Sequence, residues 1–208
     1  RWTERLVARL NGMHPDIVAV AGDLLDVGDG QAKRLLPALK KLHAPLGVWA
    51  VTGNHEFYTG LDRSIRFMEE AGFTVLRDRW AEAAPGLVIA GVDDLTARRD
   101  FGLGDHPIEK ALDGRPTGGA ILLSHTPHLA ETAARLGAGL MISGHTHGGQ
   151  IWPFNYLARM SHPMLAGRYE TGGMTVIVGR GAGTWGSRMR LWKPGEILMI
   201  TLRAEKSR

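Results

Sequence analysis

The chain contains no cysteine. That removes disulfide staples, thiolate-held zinc and a cysteine nucleophile, so any metal must be held by His, Asp, Asn or Glu. It also lacks a long apolar run: every hydrophobic stretch is broken by Gly, Asp or His before the roughly 18–20 residues a membrane helix requires, and the segment is read as soluble. Aromatic residues are few, at 7%. There is no internal repeat, low-complexity tract or linker, and 208 residues suit one domain spanning 1–208. The chain opens on Arg1, without a methionine, and Arg1–Met13 has Leu6, Val7 and Leu10 at helical spacing. The expectation is a chain cut short at its N-terminus, where a leader or anchor would be invisible. Acidic side chains are scarce from Arg180 onward, where seven basic residues stand against Glu196 and Glu205, an excess of five that more than accounts for the net charge of +4. A solvated basic edge is the expected reading of that tail. Aromatics do not interleave with it as a nucleic-acid stacking platform would require, so nucleic acid is not the expected partner.

What is present is an alternation of short apolar strands and amphipathic helices. Strands are expected at Ile17–Ala21, Gly47–Val51, Phe73–Leu76, Leu87–Val92, Ala120–Leu123 and Leu140–Ile142. Helices are expected at Ala32–Leu42, with Pro37 near a start or kink, at Asp62–Ala71 and at Pro127–Leu136. Asp93–His106 reads as a loop. The last third changes character, with strands at Thr175–Val178, Met189–Leu191 and Ile197–Leu202 and no helical pattern between them. The class is α/β with mixed sheets.

Four strands run into polar clusters. Val18–Ala21 leads into Gly22-Asp23-Leu24-Leu25-Asp26, and Val48–Thr52 into Gly53-Asn54-His55-Glu56. Ile121–Leu123 leads into Ser124-His125, and Leu140–Ser143 into Gly144-His145-Thr146-His147-Gly148-Gly149. Ligands of α/β sheets bind at the carboxyl ends of strands, so Asp23, Asn54, His55, His125, His145 and His147 are expected round one crevice. Carboxylate, carboxamide and imidazole suit Mn, Fe, Zn, Ni or Co. A bridging carboxylate holds two such ions about 3.5–4 Å apart, as hydrolytic two-metal sites require. Each piece alone has a bland reading, a Gly-Asp turn or a hydrogen-bonded strand-end histidine; four in order are the signal.

Taken in order, Gly-Asp-x-x-Asp, Gly-Asn-His-Glu, the strand into Ser-His, and Gly-His-Thr-His resemble four of the five motifs of the calcineurin-like metallophosphoesterases, over Ile17–Gly149. A closer likeness, to bacterial membrane-associated phosphoesterases of the YkuE type, rests on Ala90-Gly91-Val92-Asp93-Asp94, Gly148-Gly149-Gln150-Ile151 and the stretch from Val178-Gly179-Arg180-Gly181-Ala182-Gly183 through Arg190, Pro194, Glu196 and Ile197. The resemblance implies a four-layer α/β/β/α sandwich with two mixed β-sheets, its N-terminal strand absent from this chain. It implies a dinuclear centre of two divalent metal ions. Asp23 would bridge both, Asn54, His125 and His145 would complete the second, and His147 would bind the first. Metal-bound hydroxide would attack a phosphomonoester, phosphodiester or diphosphate, with His55 as proton donor to the leaving oxygen and Asp26 orienting it. Glu56 is expected to support the loop rather than to bind metal.

Two departures shape the expectation. The family's first motif, Asp-x-His, is missing, so the first metal keeps only Asp23 and His147, and this chain alone should bind one ion better than two and hydrolyse phosphoesters poorly. Val27 stands where the protein phosphatases of the superfamily carry Arg, which argues against a phosphoprotein substrate. A phosphorylated small molecule or lipid is the expected substrate, with Arg180 and His162 as candidate contacts. The full-length protein is expected to be membrane-associated or extracytoplasmic. Rival readings are a nuclease or cyclic-nucleotide phosphodiesterase on the same scaffold, or a non-catalytic metal-binding interaction scaffold. Gly179–Gly183 lacks the lysine, hydroxyl and following helix of a nucleotide loop. Gln150–Tyr169, rich in aromatics, reads first as a loop core packed on the domain and, as the sharper alternative, as a lid or lipid-facing edge. His14, His43, His106 and His128 read as surface or turn residues.

Overall fold

The computed structural model describes residues 2–26 and 29–203. Arg1, Val27 and the last residues of the basic tail lie outside the described residues, as does the contrast drawn at Val27. The first half builds a three-stranded, wholly parallel sheet from β1 (Val18–Ala21), β2 (Val48–Val51) and β3 (Thr74–Val75), in the order β1-β2-β3. Helices α1 (Trp2–Gly12), α2 (Asp29–Leu39) and α3 (Asn54–Glu70) connect and cover it. The second half builds a six-stranded mixed sheet from β4 (Arg79–Ala84), β5 (Leu87–Gly91), β6 (Gly119–Leu123), β7 (Leu140–Ser143), β8 (Gly167–Thr171) and β9 (Met174–Val178). Its order is β4-β5-β6-β7-β9-β8. Four parallel strands fill the middle, and the hairpin partners β4 and β8 run antiparallel at the edges.

Side chains alternate across each strand, and this alternation makes the layers. Val48 and Ala50 of β2 join Val7, Leu39, Phe67 and Met68 in a core between the parallel sheet and its helices. Their neighbours Trp49 and Val51 point the other way and meet Ile89, Ile121, Leu123 and Leu140 of the mixed sheet. The outward set of that sheet, Val88, Ala90, Leu122, Met141 and Val176, packs under helices α5 (Pro107–Leu112) and α6 (Ala130–Arg135). The two sheets therefore face each other with helices on both outer sides, the α/β/β/α order expected. One sheet is parallel where two mixed sheets were expected, because every strand of the first half returns through a helix or a crossover.

The structure differs from the sequence reading at several elements. α3 starts at Asn54, eight residues before the expected Asp62, and Gly60 (φ 113, ψ 97) kinks it. That glycine hid the continuity of the helical pattern. Pro37 sits in the last turn of α2, where its ring disturbs few backbone bonds. The expected loop 93–106 holds a one-turn helix, α4 (Ala97–Asp100), and α5 follows at once. β4 and β8 were unforeseen because Arg-Trp-Ala-Glu-Ala-Ala and Gly-Arg-Tyr-Glu-Thr are half-exposed edge strands without an apolar run. The expected strands at 189–191 and 197–202 do not form: Leu191 makes one isolated bridge to Ile151, and Leu198, Met199 and Leu202 stay exposed. Finally, α7 (Phe154–Ser161) buries none of its residues, so it is not the packed loop core expected of this stretch.

Candidate metal centre

The strand ends put the polar clusters at the seam between the two sheets. Asp23 follows β1, Asn54 and His55 open α3 after β2, His125 follows β6, and His145 follows β7. The approach is tight enough to demand glycine. A Cβ on Gly22, whose φ is 85, would lie 2.7 Å from the Gly53 nitrogen and 2.7 Å from His125 Nδ1, and a Cβ on Gly53 would collide with the Asp23 carboxylate. Asp23, His145 and His147 themselves sit in the left-handed region (φ 52, 67 and 50), uncommon for residues with side chains.

Four donor atoms form a chain of close contacts. Asp23 Oδ2 lies 3.0 Å from His125 Nε2. His125 Nε2 lies 3.1 Å from His145 Nδ1, and His145 Nδ1 lies 3.1 Å from Asn54 Oδ1. Such separations are those of neighbouring ligands round one divalent ion with bonds of about 2.1 Å. His125 Nδ1 donates to the Ala21 carbonyl at 2.7 Å, which fixes the ring and leaves Nε2 as the atom facing the cluster. The donor set, one carboxylate, one carboxamide oxygen and two imidazoles, fits a borderline divalent ion.

Electrostatics at Asp23 and His145 suit that use, while at His125 the attraction of Asp23 favours the protonated ring, whose proton a bound ion would displace. Burial pushes the Asp23 carboxyl up, but the hydrogen bond and charge of His125, with the His55 backbone N–H, outweigh it and hold the pKa below its ordinary value. Burial pushes His125 down, and its bond and attraction to Asp23 more than reverse this, so His125 ends raised. His145 is pushed down to about 4 by burial and by neighbouring His125, so its ring is neutral and able to ligate at neutral pH.

Glu56 is the brace. It is fully buried and accepts the backbone N–H of Asp23 at 2.8 Å, Leu25 at 2.9 Å and Gly53 at 2.7 Å, tying the β1 loop to the start of α3. Burial raises its pKa despite those three donors, and the nearby Asp23 charge adds to the rise. His55, on the same helical turn, places Nδ1 2.8 Å from Asp26 Oδ1. Its backbone N–H donates to Asp23 Oδ1 at 3.0 Å, so the candidate acid and the candidate bridging ligand share one frame.

His147 stands apart from the compact set. Asp23, His125 and His55 all act on its ring electrostatically, yet Nδ1 lies 3.3 Å from Arg190. Burial and then the Arg190 charge lower its pKa to about 4. Arg190 also donates to the carbonyls of His147, Arg180 and Gly183, so it staples the Gly179–Gly183 loop beneath His147. Arg180 lies against Gly148 and is tied into an ion pair with Glu196, which also accepts its backbone N–H at 2.8 Å. His162 does reach the cluster: its ring centroid lies 5.5 Å from that of His145. Burial and, after it, the charge of His128 lower its pKa; His128 itself is exposed in a turn, as expected.

Sequence reasoning missed the acidic support behind the cluster. Asp93 accepts from Thr52 Oγ1 at 2.8 Å and pairs with Arg77 at 2.8 Å, linking the end of β2 to the end of β5. Asp78 pairs with the buried Arg98 at 2.9 Å and accepts the Asp93 N–H. Asp94 is fully buried, with Oδ1 capping α4 through Thr96 and Ala97, and its charge reaches both His125 and His145. The run Val92-Asp93-Asp94, ending a strand in the manner of the four metal-facing clusters, was the available signal.

Residues 3–149 match the family described as calcineurin-like phosphoesterase. A metallophosphoesterase of Aquifex aeolicus is 36% identical over 92% of this chain and 74% of its own length. A zebrafish protein named a transmembrane protein with metallophosphoesterase domain is 34% identical over 96% of this chain and 48% of its own. The Bacillus subtilis metallophosphoesterase YkuE is 32% identical over 96% of this chain and 72% of its own. The chain spans only about half the length of several curated relatives that it matches, the zebrafish protein among them. Among solved structures, a Staphylococcus aureus protein described as a putative 5'-nucleotidase superposes with a TM-score of 0.55 at 14% identity, over 87% of this chain and 43% of its own, a likeness of fold.

Proposed function

Since the chain belongs to the calcineurin-like phosphoesterase family, we propose that it hydrolyses a phosphomonoester, phosphodiester or diphosphate at the seam between its sheets. The observation that carries this reading is the unbroken series of 3.0–3.1 Å contacts joining Asp23, His125, His145 and Asn54. These four residues would hold a divalent ion, and Asp23 with His147 would offer part of a second site. When bound, such ions supply Lewis acidity toward a phosphoryl oxygen and a water of lowered pKa. The chain's own residues do the rest. Asp26 accepts the Nδ1 proton of His55 and sets the ring's orientation, which leaves Nε2 to carry a proton toward the departing oxygen as the bond from phosphorus to that oxygen breaks and a bond from phosphorus to water oxygen forms. Glu56 keeps Asp23 and Gly53 in register, and Arg190 fixes the loop beside His147. His162, against His145, is placed to meet the substrate's edge, whereas Arg180 is engaged by Glu196 and acts first as a loop anchor.

A phosphorylated small molecule or lipid is the substrate class we favour. A zebrafish relative is named a transmembrane protein, and we infer a membrane-associated or extracytoplasmic setting for the full-length protein. Among the described residues no helix is long and apolar enough to cross a membrane. The test is hydrolysis of p-nitrophenyl phosphate and bis-p-nitrophenyl phosphate by manganese-loaded protein, beside a calorimetric manganese titration. Turnover abolished by chelation and lowered at least about 100-fold in His55→Ala, with manganese binding intact in that variant, is the expected result. Equal turnover in His55→Ala and the parent would overturn the assignment of the acid, and absence of any manganese binding would overturn the centre itself.

A further inference from the structure

The segment 150–161 and the segment 184–193 are zipped side by side. Gln150 Nε2 donates to the carbonyls of Trp185 and Ser187 at 2.7 and 3.1 Å, and Trp185 N–H returns a bond to Gln150 Oε1 at 2.8 Å. Ile151 bridges Leu191, and the rings of Trp152 and Trp192 lie 6.3 Å apart. The result is one continuous apron. A helix on a globular surface ordinarily turns its apolar stripe inward. Here α7 buries nothing: Phe154 and Leu157 are exposed, Met160 is 82% exposed, and across the zipper Trp192 is 82% exposed beside exposed Trp185. A contiguous patch of this kind marks a contact surface.

Its charge says with what. Neither segment contains an acidic residue, while Arg159, Arg188 and Lys193 are exposed within it. Between residues 132 and 195 the one acid in the sequence is Glu170, and Arg168 pairs with it at 2.8 Å. Tryptophan and tyrosine settle where an apolar layer meets water, and arginine and lysine beside them are drawn to anionic headgroups. We propose that this apron docks on an anionic lipid bilayer, inserting Trp152, Phe154, Leu157, Met160 and Trp192 at headgroup depth with Arg159, Arg188 and Lys193 against the phosphates. Docking would set the mouth of the metal centre at the membrane surface, because the apron is joined to it at both ends. Gly149 packs directly on Asn155, and His162, whose N–H donates to the Ala158 carbonyl at 2.8 Å to end α7, meets His145 edge to face.

The inference stands without the phosphoesterase reading, since docking is measured with no metal and no turnover. The experiment is co-sedimentation of the purified chain with phosphatidylcholine vesicles, with and without about 30 mol% phosphatidylglycerol. Tryptophan emission is followed in the same samples. Binding to the anionic vesicles, a blue shift on binding, weakening at about 0.5 M salt and at least a tenfold loss in the double variant Trp192→Ser/Phe154→Ser are expected. An Arg188→Gln/Lys193→Gln pair, which leaves the rings in place, should lose the preference for anionic lipid. Failure to bind either vesicle, or binding unchanged in both variants, overturns the proposal. So does concentration-dependent self-association of the parent, relieved by Trp192→Ser/Phe154→Ser without any vesicle binding, which would make the apron an interface between copies.

Discussion

The crevice and the apron are neighbours built on opposite terms. In the crevice, polar groups are withdrawn from water and each is held from several directions: Asp23 contacts His125, the His55 N–H and, through its own N–H, Glu56. In the apron, apolar rings are left in water and the segments are joined by a few bonds from Gln150 and one ring pair. The first arrangement costs desolvation and backbone strain that only a ligand for those groups recovers; the second leaves apolar surface that only a partner covers. The two regions should therefore answer differently to substitution, the crevice through chemistry and stability, the apron through attachment.

The largest effect expected is on turnover. His55→Ala should lower kcat by about 10²–10⁴-fold, the usual worth of a positioned acid, while Trp192→Ser should leave turnover of a soluble substrate unchanged; steady-state kinetics on both variants checks the contrast. Next comes ion affinity. His125→Ala removes a central donor and should weaken manganese binding by at least about 100-fold by calorimetry, and an apron variant that did the same would break the separation of the two regions. Third is stability. Glu56→Ala strips three backbone N–H groups, two of them buried, of their acceptor and should cost about 3 kcal/mol in urea denaturation.

A smaller effect follows from the apo ion pair. The lowered pKa of Asp23 contributes stability that is complete above its ordinary value of 3.8 and is lost as pH falls through the lowered one. The raised pKa of His125 contributes stability that is complete below its ordinary value of 6.5 and is lost as pH rises through the raised one. In chelator-treated protein the gap in Tm between the parent and Asp23→Asn should thus be widest between pH 3.8 and 6.5 and shrink on either side. A gap that grows steadily toward high pH would contradict the pairing. The smallest effect is at the apron surface: Met160→Ser should change stability by no more than about 0.5 kcal/mol, in contrast to Glu56→Ala.

How much of this was legible before the fold was known follows the same division. β1, β2, β6 and β7 announce themselves because each is a short apolar run that ends abruptly in glycine or a polar residue, and β2, β6 and β7 are also largely buried, so the convergence of Asp23, Asn54, His125 and His145 could be read from the order of motifs. The start of α3 could not, since Thr52-Gly53-Asn54 resembles a turn and the φ of Gly60 interrupts the helical period. Ile197–Leu202 misled for the opposite reason: it is an apolar run of strand length, yet pairing depends on a neighbour that sequence does not display. The Asp93–Arg77 and Asp78–Arg98 pairs were invisible because partners 16 and 20 residues apart meet only after β4 and β5 form a hairpin.

One consequence follows from where the ligand candidates come from. Asp23 and Asn54 ride on the parallel sheet and His125 and His145 on the mixed one, so the four meet only when Trp49, Val51 and Leu76 are seated on Ile121, Leu123 and Leu140. Chelation strength is thereby a gauge of sheet alignment. Shaving a methylene or two from Leu123, one residue past which the main chain turns toward its histidine, would be felt as a slackened grip on the ion well before the molecule as a whole came apart.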